Sequence, residues 1–287
     1  MKSKFVDRQN NEQYIEKSRL SSTLLYGSIV GTLIVAIATR KSVSKVGSLY
    51  ANSKGSRKLI KSFVKKNKID MSEYEDRNFR TFNDFFTRKI LPGKRPFSDD
   101  EDVLISVADS KLLYYKIGSN TEILIKGKTY TTKELLRDAK LADEYKDGVC
   151  LVFRLDVDDY HRYSFVDNGK VIGGKKINGI LHTVGPIAFK RHKVFKQNQR
   201  EYSILETENF DKVIQMEVGA LLVGKIKNHD VKYFKRGEEK GYFLFGGSTV
   251  VLLFKKNTVK IDLDIVSNSS KDIETKVKLG ETIGRRY

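Results

Sequence analysis

Three polar residues of the chain, Asp109, His161 and Ser248, have the side-chain types of a nucleophilic triad. They lie in the segments "SVADSK", "VDDYHRY" and "FGGST", each at the end of an apolar run that is typical of a strand. In such a set the carboxylate orients the imidazole, the imidazole accepts a proton and the hydroxyl attacks. Each residue also fits a structural role, as a turn cap, a partly buried histidine or a hairpin turn. Spacing alone does not show that the three residues meet.

The surroundings of Ser248 are unusual for a turn. Apolar runs stand on both sides of the glycine pair in "GYFLFGGSTVVLLF", so the bond between Gly247 and Ser248 is predicted to be buried. Glycine on the carbonyl side of this bond permits backbone conformations that a side chain would forbid.

Metal and disulfide chemistry find little support in the sequence. The single cysteine, Cys150, excludes an intramolecular disulfide and fits a reducing compartment. The histidines show neither HExxH nor CxxC spacing with other ligands, so we predict no metal site. They are His161, His182, His192 and His229, of which we expect the last two at the surface.

The elements that would position these residues change character along the chain. From about residue 99 to residue 254, short apolar runs broken by Gly, Asp and Asn predict a series of strands. One helix is predicted within this series at "TTKELLRDA", where Thr131 and Glu134 have the spacing of a capping box.

The first 98 residues are basic and predicted to be helical. The segment "SRKLIKSFVKKNKID" places Leu59, Ile60, Phe63 and Val64 on one helix face. The segment "TFNDFFTRKI" begins with a Thr-to-Asp cap pattern, and we expect its phenylalanines to be core residues. We therefore predict an α+β fold in which a helical basic region (1–98) packs on a β-rich, sandwich- or barrel-like domain (99–287).

The net charge of +18 predicts an anionic partner. No zinc-finger spacing, RNP motif or basic zipper is present, which argues against nucleic acid. Much of the positive charge flanks the apolar run 20–39, "LSSTLLYGSIVGTLIVAIAT", and cations at both ends favour a membrane surface. The run fits an interfacial hairpin-like helix, a membrane span or a buried helix of a soluble protein.

Several segments, in the same order along the chain, resemble the phosphatidylserine decarboxylase family. The last is the most specific, because it resembles the self-cleavage segment of that family in its Gly-Gly-Ser-Thr form. The matching segments are "FNDFFTRKILPGKRP", "VADSK", "DYHRY", "LHTVGPIA", "MEVGALLVGKI" and "GEEKGYFLFGGSTVVLLF".

The resemblance implies a self-processing enzyme. Ser248 would attack the carbonyl of Gly247, with His161 and Asp109 drawing off the hydroxyl proton. The chain would then split into a large chain (1–247) and a small chain (248–287). Ser248 would become a pyruvoyl group, which forms a Schiff base with phosphatidylserine and releases CO2 to leave phosphatidylethanolamine. Neither a metal nor pyridoxal phosphate is expected, and His161 is the candidate acid that protonates the product.

The sequence departs from the family pattern at two positions. Many members have a second histidine where this chain has Ser164, so either His161 serves both reactions or His182 supplies the second imidazole. We favour His161, because it lies in the recognisable motif. Gly185 stands where the family often has asparagine, which removes a side-chain amide from that segment.

The resemblance also implies partners and a location. Phosphatidylserine and an anionic membrane surface are the expected partners, together with a possible homodimer, at the cytoplasmic face of the cell membrane. Two other functions are compatible with the sequence: a pyruvoyl decarboxylase of another serine-headed lipid, and a non-catalytic membrane-binding homologue. The second is disfavoured because Asp109, His161 and Ser248 are all present.

Overall fold

A computed structural model of the chain describes residues 4–15, 49–75, 77–119, 121–125, 128–179, 199–219, 226–245 and 248–287. Its fold is α+β and rich in strands, as predicted. The strands are β1 (Lys4–Asp7), β2 (Glu12–Ile15), β3 (Val103–Ile105), β4 (Ser110–Lys116), β5 (Ile123–Ile125), β6 (Lys128–Tyr130), β7 (Val149–Leu155), β8 (Arg162–Ser164), β9 (Gly169–Ile177), β10 (Arg200–Thr207), β11 (Lys212–Gly219), β12 (Ile226–Asn228), β13 (Tyr233–Phe234), β14 (Glu239–Phe243), β15 (Ser248–Phe254), β16 (Val259–Ile261), β17 (Ile273–Val277) and β18 (Thr282–Arg286). The helices are α1 (Lys58–Asn67), α2 (Phe82–Phe86), α3 (Thr132–Leu136), α4 (Ala139–Glu144) and α5 (Leu263–Ser269).

One large sheet forms the frame of the described part of the chain. Its ten strands run in the order β13-β9-β10-β11-β15-β7-β4-β17-β1-β2. Strand β15, "STVVLLF", is buried on both faces and lies between β11 and β7. Its β-branched and aliphatic residues suit a central strand that touches neighbours on both faces.

A smaller sheet, in the order β12-β14-β8, belongs to the same fold. Aromatic residues of β8 and β14, including Tyr163 and Phe243, share a hydrophobic cluster with Val250 and Leu252 of β15. The opposite face of the large sheet contributes Val251 and is covered by residues of α3, α4 and β5. The alternating side chains of β15 therefore enter two separate cores.

The segments on either side of Gly246 and Gly247 do not form a hairpin. Strand β14 pairs with β8 and β12, whereas β15 pairs with β7 and β11. The chain therefore passes from one sheet to another at the glycine pair. The ordinary hairpin that the glycine pair also suggested is not what the structure contains.

The N-terminal region contains both helices and strands. Helix α1 packs Ile60, Phe63 and Val64 against a phenylalanine cluster, as its predicted face requires, but Leu59 is exposed. Residues 4–15 are not helical: β1 pairs in parallel with β17 and forms a hairpin with β2. The reason is tertiary, because β1 extends the edge that β17 presents. No helix among the described ranges is long and apolar enough to cross a membrane, and the run 20–39 lies outside them.

Candidate active site

Ser248 is the first residue of the central strand β15. Its backbone stands opposite Leu155 of β7 and Gly219 of β11. Its side chain is 1% exposed, and its Oγ has no hydrogen-bond partner among the described residues. A buried hydroxyl without a partner is costly and rare in folded proteins. The structure therefore contains a desolvated serine hydroxyl at the junction of the two sheets.

Helix α2 holds the chain that leads to Ser248. The side-chain Oδ1 of buried Asn83 accepts a hydrogen bond from the backbone N–H of Phe245 at 2.9 Å. The ring of Phe245 packs edge-on against Phe82 and Phe86, with centroids 4.9 and 5.2 Å away. The helix begins as the sequence predicts, with Thr81 accepting from the N–H of Asp84. Its phenylalanines are core residues, as predicted, and they also position the segment that precedes the glycine pair.

His161 reaches the same phenylalanine cluster from the other side. Its ring centroid lies 3.8 Å from that of Phe86, and the residue is 1% exposed. Its main-chain oxygen accepts a hydrogen bond from Phe243 at 2.9 Å, and its Nδ1 lies 2.9 Å from the main-chain oxygen of Asp159. Phe86 thus contacts both the imidazole and Phe245, three positions before Ser248. His161 and the segment just before Ser248 therefore pack against the same side chain, that of Phe86.

Asp109 is buried but bonds to other groups. Its carboxylate accepts hydrogen bonds from Arg95, at 2.9 Å to Nε and 2.7 Å to Nη2, and from the N–H of Leu279 at 2.8 Å. Burial disfavours the charge of Arg95, but the hydrogen bond and charge of Asp109 outweigh it and raise the pKa of the guanidinium. Among the described residues the partners of Asp109 are therefore Arg95 and Leu279, and no hydrogen bond joins it to His161.

Asp109 shares a cavity with the turn that precedes His161. This cavity of about 140 Å³ is lined by Asp109, Arg95 and Asp159, among others. The main chain of Asp159 contacts the imidazole, as described above. Asp109 therefore faces the same cavity as the residue that supports His161.

Ser164 occupies the position of the second family histidine. It is 1% exposed, and its Oγ has no hydrogen-bond partner among the described residues. It lines a second cavity of about 280 Å³, which Arg95, Tyr160 and Glu239 also line. Arg95 lines both this cavity and the one at Asp109. At position 164 the chain therefore has a small buried hydroxyl at the wall of a cavity that Arg95 also lines.

A buried ionic network lies on the same sheet face as Ser248. Lys240 Nζ contacts both carboxylate oxygens of Glu217 at 2.8 and 2.9 Å, and Asn228 donates to the same carboxylate at 2.9 Å. The Tyr163 hydroxyl donates to Asn228. Burial raises the pKa of Glu217, and Lys240 offsets part of this effect. Since Glu217 stands opposite Val250, it lies two register positions from Ser248.

Short patterns in the sequence do not reveal the residues that support the site. Arg88 and Arg95 lie in the segment "FFTRKILPGKRP", where only the phenylalanines and the helix had a predicted structural role. Arginines beside buried aromatic residues were the available signal, because a guanidinium in a core needs aromatic faces or acceptors. Lys240 and Glu217 were hidden within strand-like runs, where charged residues are usually solvated.

Some predicted residues lie outside the described part of the chain: Gly247, His182, Gly185 and His192. His229 is described, and its exposed ring bonds to Glu239 at 2.7 Å. Within the described ranges no group of three or more His, Cys, Asp or Glu residues could hold a metal ion. Cys150 is buried as a free thiol, and burial raises its pKa above the ordinary value.

Comparison with known proteins identifies the family. The profile described as "Phosphatidylserine decarboxylase" matches residues 82–285. The chain is 56% identical, over 97% of both chains, to "Phosphatidylserine decarboxylase proenzyme 2" of Clostridium acetobutylicum. It is 45% identical to "Phosphatidylserine decarboxylase proenzyme" of Clostridium botulinum strain 657, over 99% of both chains, and 42% identical to that of Clostridium tetani, over 99% of this chain and 98% of the relative. The chain therefore belongs to the phosphatidylserine decarboxylase family.

Proposed function

We propose that the protein is a proenzyme that cleaves itself between Gly247 and Ser248 and then decarboxylates phosphatidylserine to phosphatidylethanolamine. The observation that supports this most is Ser248 itself, whose buried Oγ has no hydrogen-bond partner among the described residues. A hydroxyl in that state keeps its lone pairs for a neighbouring carbonyl carbon, and its surroundings exclude hydrolytic water. The relatives named above carry the same activity and the word proenzyme in their names.

In the first step the Oγ of Ser248 attacks the carbonyl carbon of Gly247 as its proton passes to His161. The peptide C–N bond breaks, the Ser248 nitrogen takes up the proton, and an ester links the two residues. Loss of the Cα proton of residue 248 then breaks the Cβ–Oγ bond. Gly247 leaves with a carboxylate that contains this oxygen, and residue 248 becomes dehydroalanine. One water molecule releases its nitrogen as ammonia and leaves a pyruvoyl group.

The site fits this group. Residue 248 is paired on both sides at the start of a central strand, so the new chain end stays in the sheet after cleavage. When formed, the group would supply a ketone that takes up the amine of the substrate and an adjacent amide carbonyl that accepts the electrons released as CO2 departs. His161 is the acid that returns a proton to the product. Asp109 acts from the cavity that it shares with Asp159, where Arg95 holds its carboxylate.

We also propose that the protein works on an anionic membrane surface at the cytoplasmic face of the cell membrane. Helix α1 exposes Lys58, Lys61 and Lys65, and the side chains of Leu49 and Leu59 are 62% and 43% exposed close by in the chain. Each lysine near such a surface adds about 1 kcal/mol of attraction. The homodimer stays a prediction.

Sedimentation with vesicles tests the membrane proposal. The variant for this test lacks residues 20–39 only, because β1 and β2 are part of the large sheet and should be kept. We expect this variant to lose binding to vesicles that contain phosphatidylserine. Unchanged binding would mean that α1, and not the apolar run 20–39, makes the contact with the vesicle surface.

Intact-mass spectrometry of the purified, denatured protein tests self-cleavage. We expect two chains that meet at Gly247 and Ser248, the smaller one carrying a pyruvoyl end. Ser248→Ala should give one uncut mass. Thr249→Val is the matched control, because Thr249 is equally buried and unpartnered among the described residues but belongs to the next position of the strand, on its opposite face. Splitting of Ser248→Ala would refute the proposal, and so would failure of the cut protein to release CO2 from phosphatidylserine vesicles.

A further inference from the structure

Arg88 is a buried cation whose role the proposed reaction does not explain. The residue is 1% exposed and follows α2 by two positions. Its guanidinium carbon lies 4.2 Å from the ring centre of Tyr74 and 5.0 Å from that of Phe85. No carboxylate pairs with it among the described residues, and its Nε and Nη1 have no hydrogen-bond partner there. A guanidinium buried in this way is costly, so its position needs a reason.

The contacts of Arg88 lead to the imidazole of His161. Its Nη2 donates to the main-chain oxygens of Asp158 and Asp159, at 3.0 and 3.3 Å. The oxygen of Asp159 is also the atom that lies 2.9 Å from His161 Nδ1. One carbonyl oxygen therefore faces both the guanidinium and the ring.

This shared acceptor determines which ring nitrogen bears the hydrogen. A carbonyl oxygen can only accept, so the Nδ1 of His161 must be the donor. In the neutral imidazole the hydrogen then lies on Nδ1, and Nε2 has the lone pair. The ring packs against Phe86, with the two ring planes tilted by 36°.

The charged and titratable groups near the ring come from four parts of the chain. They are Arg88 after α2, Asp156, Asp158, Asp159, Tyr160 and Arg162 of its own segment, Glu239 and Tyr242 of β14, and Tyr74 and Asp109 at the cavity beside the turn. Four of the charged groups are paired: Arg162 with Glu239, Asp109 with Arg95, and Asp156 with Lys111.

Among the charges that are not paired, Arg88 has the largest expected effect on the ring of His161. Asp158 is exposed to solvent, so its charge is screened. Burial, and next the charge of Asp156, raise the pKa of Asp159 well above its ordinary value. Its carboxylate accepts a hydrogen bond from the N–H of Asp156 at 2.6 Å, and no ion pair joins it to Arg88 among the described residues. Arg88 is thus the near charge without a counter-ion among the described residues, and a cation disfavours a second cation beside it.

We propose that Arg88 is a positioning residue that fixes His161 as the neutral imidazole with its proton on Nδ1, so that Nε2 accepts the proton of the Ser248 hydroxyl. This inference rests on the proposed function, because it concerns the base of that reaction. It accounts for a buried cation that sits between two aromatic rings and donates to the turn beneath the histidine.

The test is nitrogen NMR of the full-length Ser248→Ala precursor labelled with 15N-histidine, with His161→Gln to assign the signal. Protonated and unprotonated ring nitrogens have well-separated shifts, so the tautomer is read directly and needs no turnover. We expect Nδ1 to be the protonated nitrogen. A proton on Nε2 in the neutral ring would overturn the proposal, whether or not Arg88 variants fold.

A pH titration of the same signal tests the charge of Arg88. Arg88→Gln should raise the pKa of His161 by about one unit, because a like charge is removed, whereas Arg88→Lys should restore the original value. In the protein with the native serine, the pH below which self-cleavage slows should rise by the same amount in Arg88→Gln. Arg236→Gln is the control, since Arg236 also donates to a main-chain carbonyl and has two unpartnered nitrogens among the described residues. An unchanged titration in a folded Arg88→Gln protein would overturn the proposal.

The two proposals fail in different ways. If the protein does not cleave itself, the mass spectrum shows it, and the tautomer can still be measured. If Arg88 does not position His161, the mass spectrum still shows two chains, and only the NMR result and the pH dependence change.

Discussion

Two buried polar clusters lie close to the start of β15, and they differ in how well their groups are satisfied. In the network of Glu217, Lys240 and Asn228, each charge has an opposite charge and each group has a hydrogen bond. Around His161, by contrast, Arg88 has no carboxylate partner and the hydroxyls of Ser164 and Ser248 have no hydrogen-bond partner among the described residues.

This difference indicates which of the two clusters stabilises the fold and which one is kept for a reaction. A fully satisfied buried network makes a fold rigid and unique, whereas unsatisfied groups cost stability and are retained where they do something else. The ionic network therefore holds β14 against β11. The groups around His161 are the ones to which we attribute the proposed self-cleavage at the glycine pair.

The largest expected effect is that of His161→Asn. The variant should slow self-cleavage by about 10²- to 10⁴-fold, the usual loss when a positioned base is removed. The fraction of split chain, followed by mass spectrometry over time, measures this. His229→Asn is the control, because that ring is 43% exposed and bonds to Glu239.

A normal self-cleavage rate in folded His161→Asn would show that His161 is not the base, and His182 would become the candidate. His182→Ala should cleave normally if His161 serves both reactions. Slow cleavage in His182→Ala alone would reverse that assignment.

The next effect concerns the ionic network. Lys240→Met leaves the Glu217 carboxylate buried without its counter-ion and should lower the free energy of unfolding by about 3–5 kcal/mol. The double variant Lys240→Met/Glu217→Gln should recover part of this loss, because the unpaired charge is gone. Urea denaturation of each variant in the uncut Ser248→Ala background measures it.

The surface pair of Lys170 and Glu206 gives the matched control for this prediction. Both side chains are nearly half exposed and their charges are screened by solvent, so Lys170→Met should change stability far less than Lys240→Met. Folded Lys240→Met protein with the native serine should still cleave itself. If it cleaves as slowly as His161→Asn, the division between the two clusters is wrong.

The smallest effect is a pH dependence at Glu73, which accepts a hydrogen bond from the same Nη2 of Arg95 that donates to Asp109. A hydrogen bond from Arg95 lowers the pKa of Glu73 below its ordinary value of 4.5, although burial opposes the change. Its stabilising contribution is therefore present above pH 4.5 and is lost as the pH falls through the lower folded value.

Since Glu73 is a quarter exposed, its contribution should be about 1 kcal/mol or less. Glu73→Gln should melt below the unsubstituted precursor at neutral pH, and the difference should shrink in acid. Melting curves across this range measure it. A difference that grew in acid would mean that Arg95 does not hold Glu73.

Local signals in the sequence predicted the elements next to the site. The capping box of Thr131 and Glu134 and the cap at Thr81 form as their spacing indicates. The apolar run "STVVLLF" is a buried strand, and the helix face of Ile60, Phe63 and Val64 is packed. These features depend on residues within about one turn or one strand of each other, so short patterns contain them.

The sequence by itself therefore determined the strand-rich α+β class, the caps of α2 and α3, and the serine motif that marks the family. Only the tertiary structure decided that β14 and β15 belong to different sheets, that β1 joins β17 across the chain, and that Asp109 pairs with Arg95. The physical reason is that a strand edge or a buried carboxylate can accept several partners. Which one it takes depends on what long-range packing brings within hydrogen-bond distance.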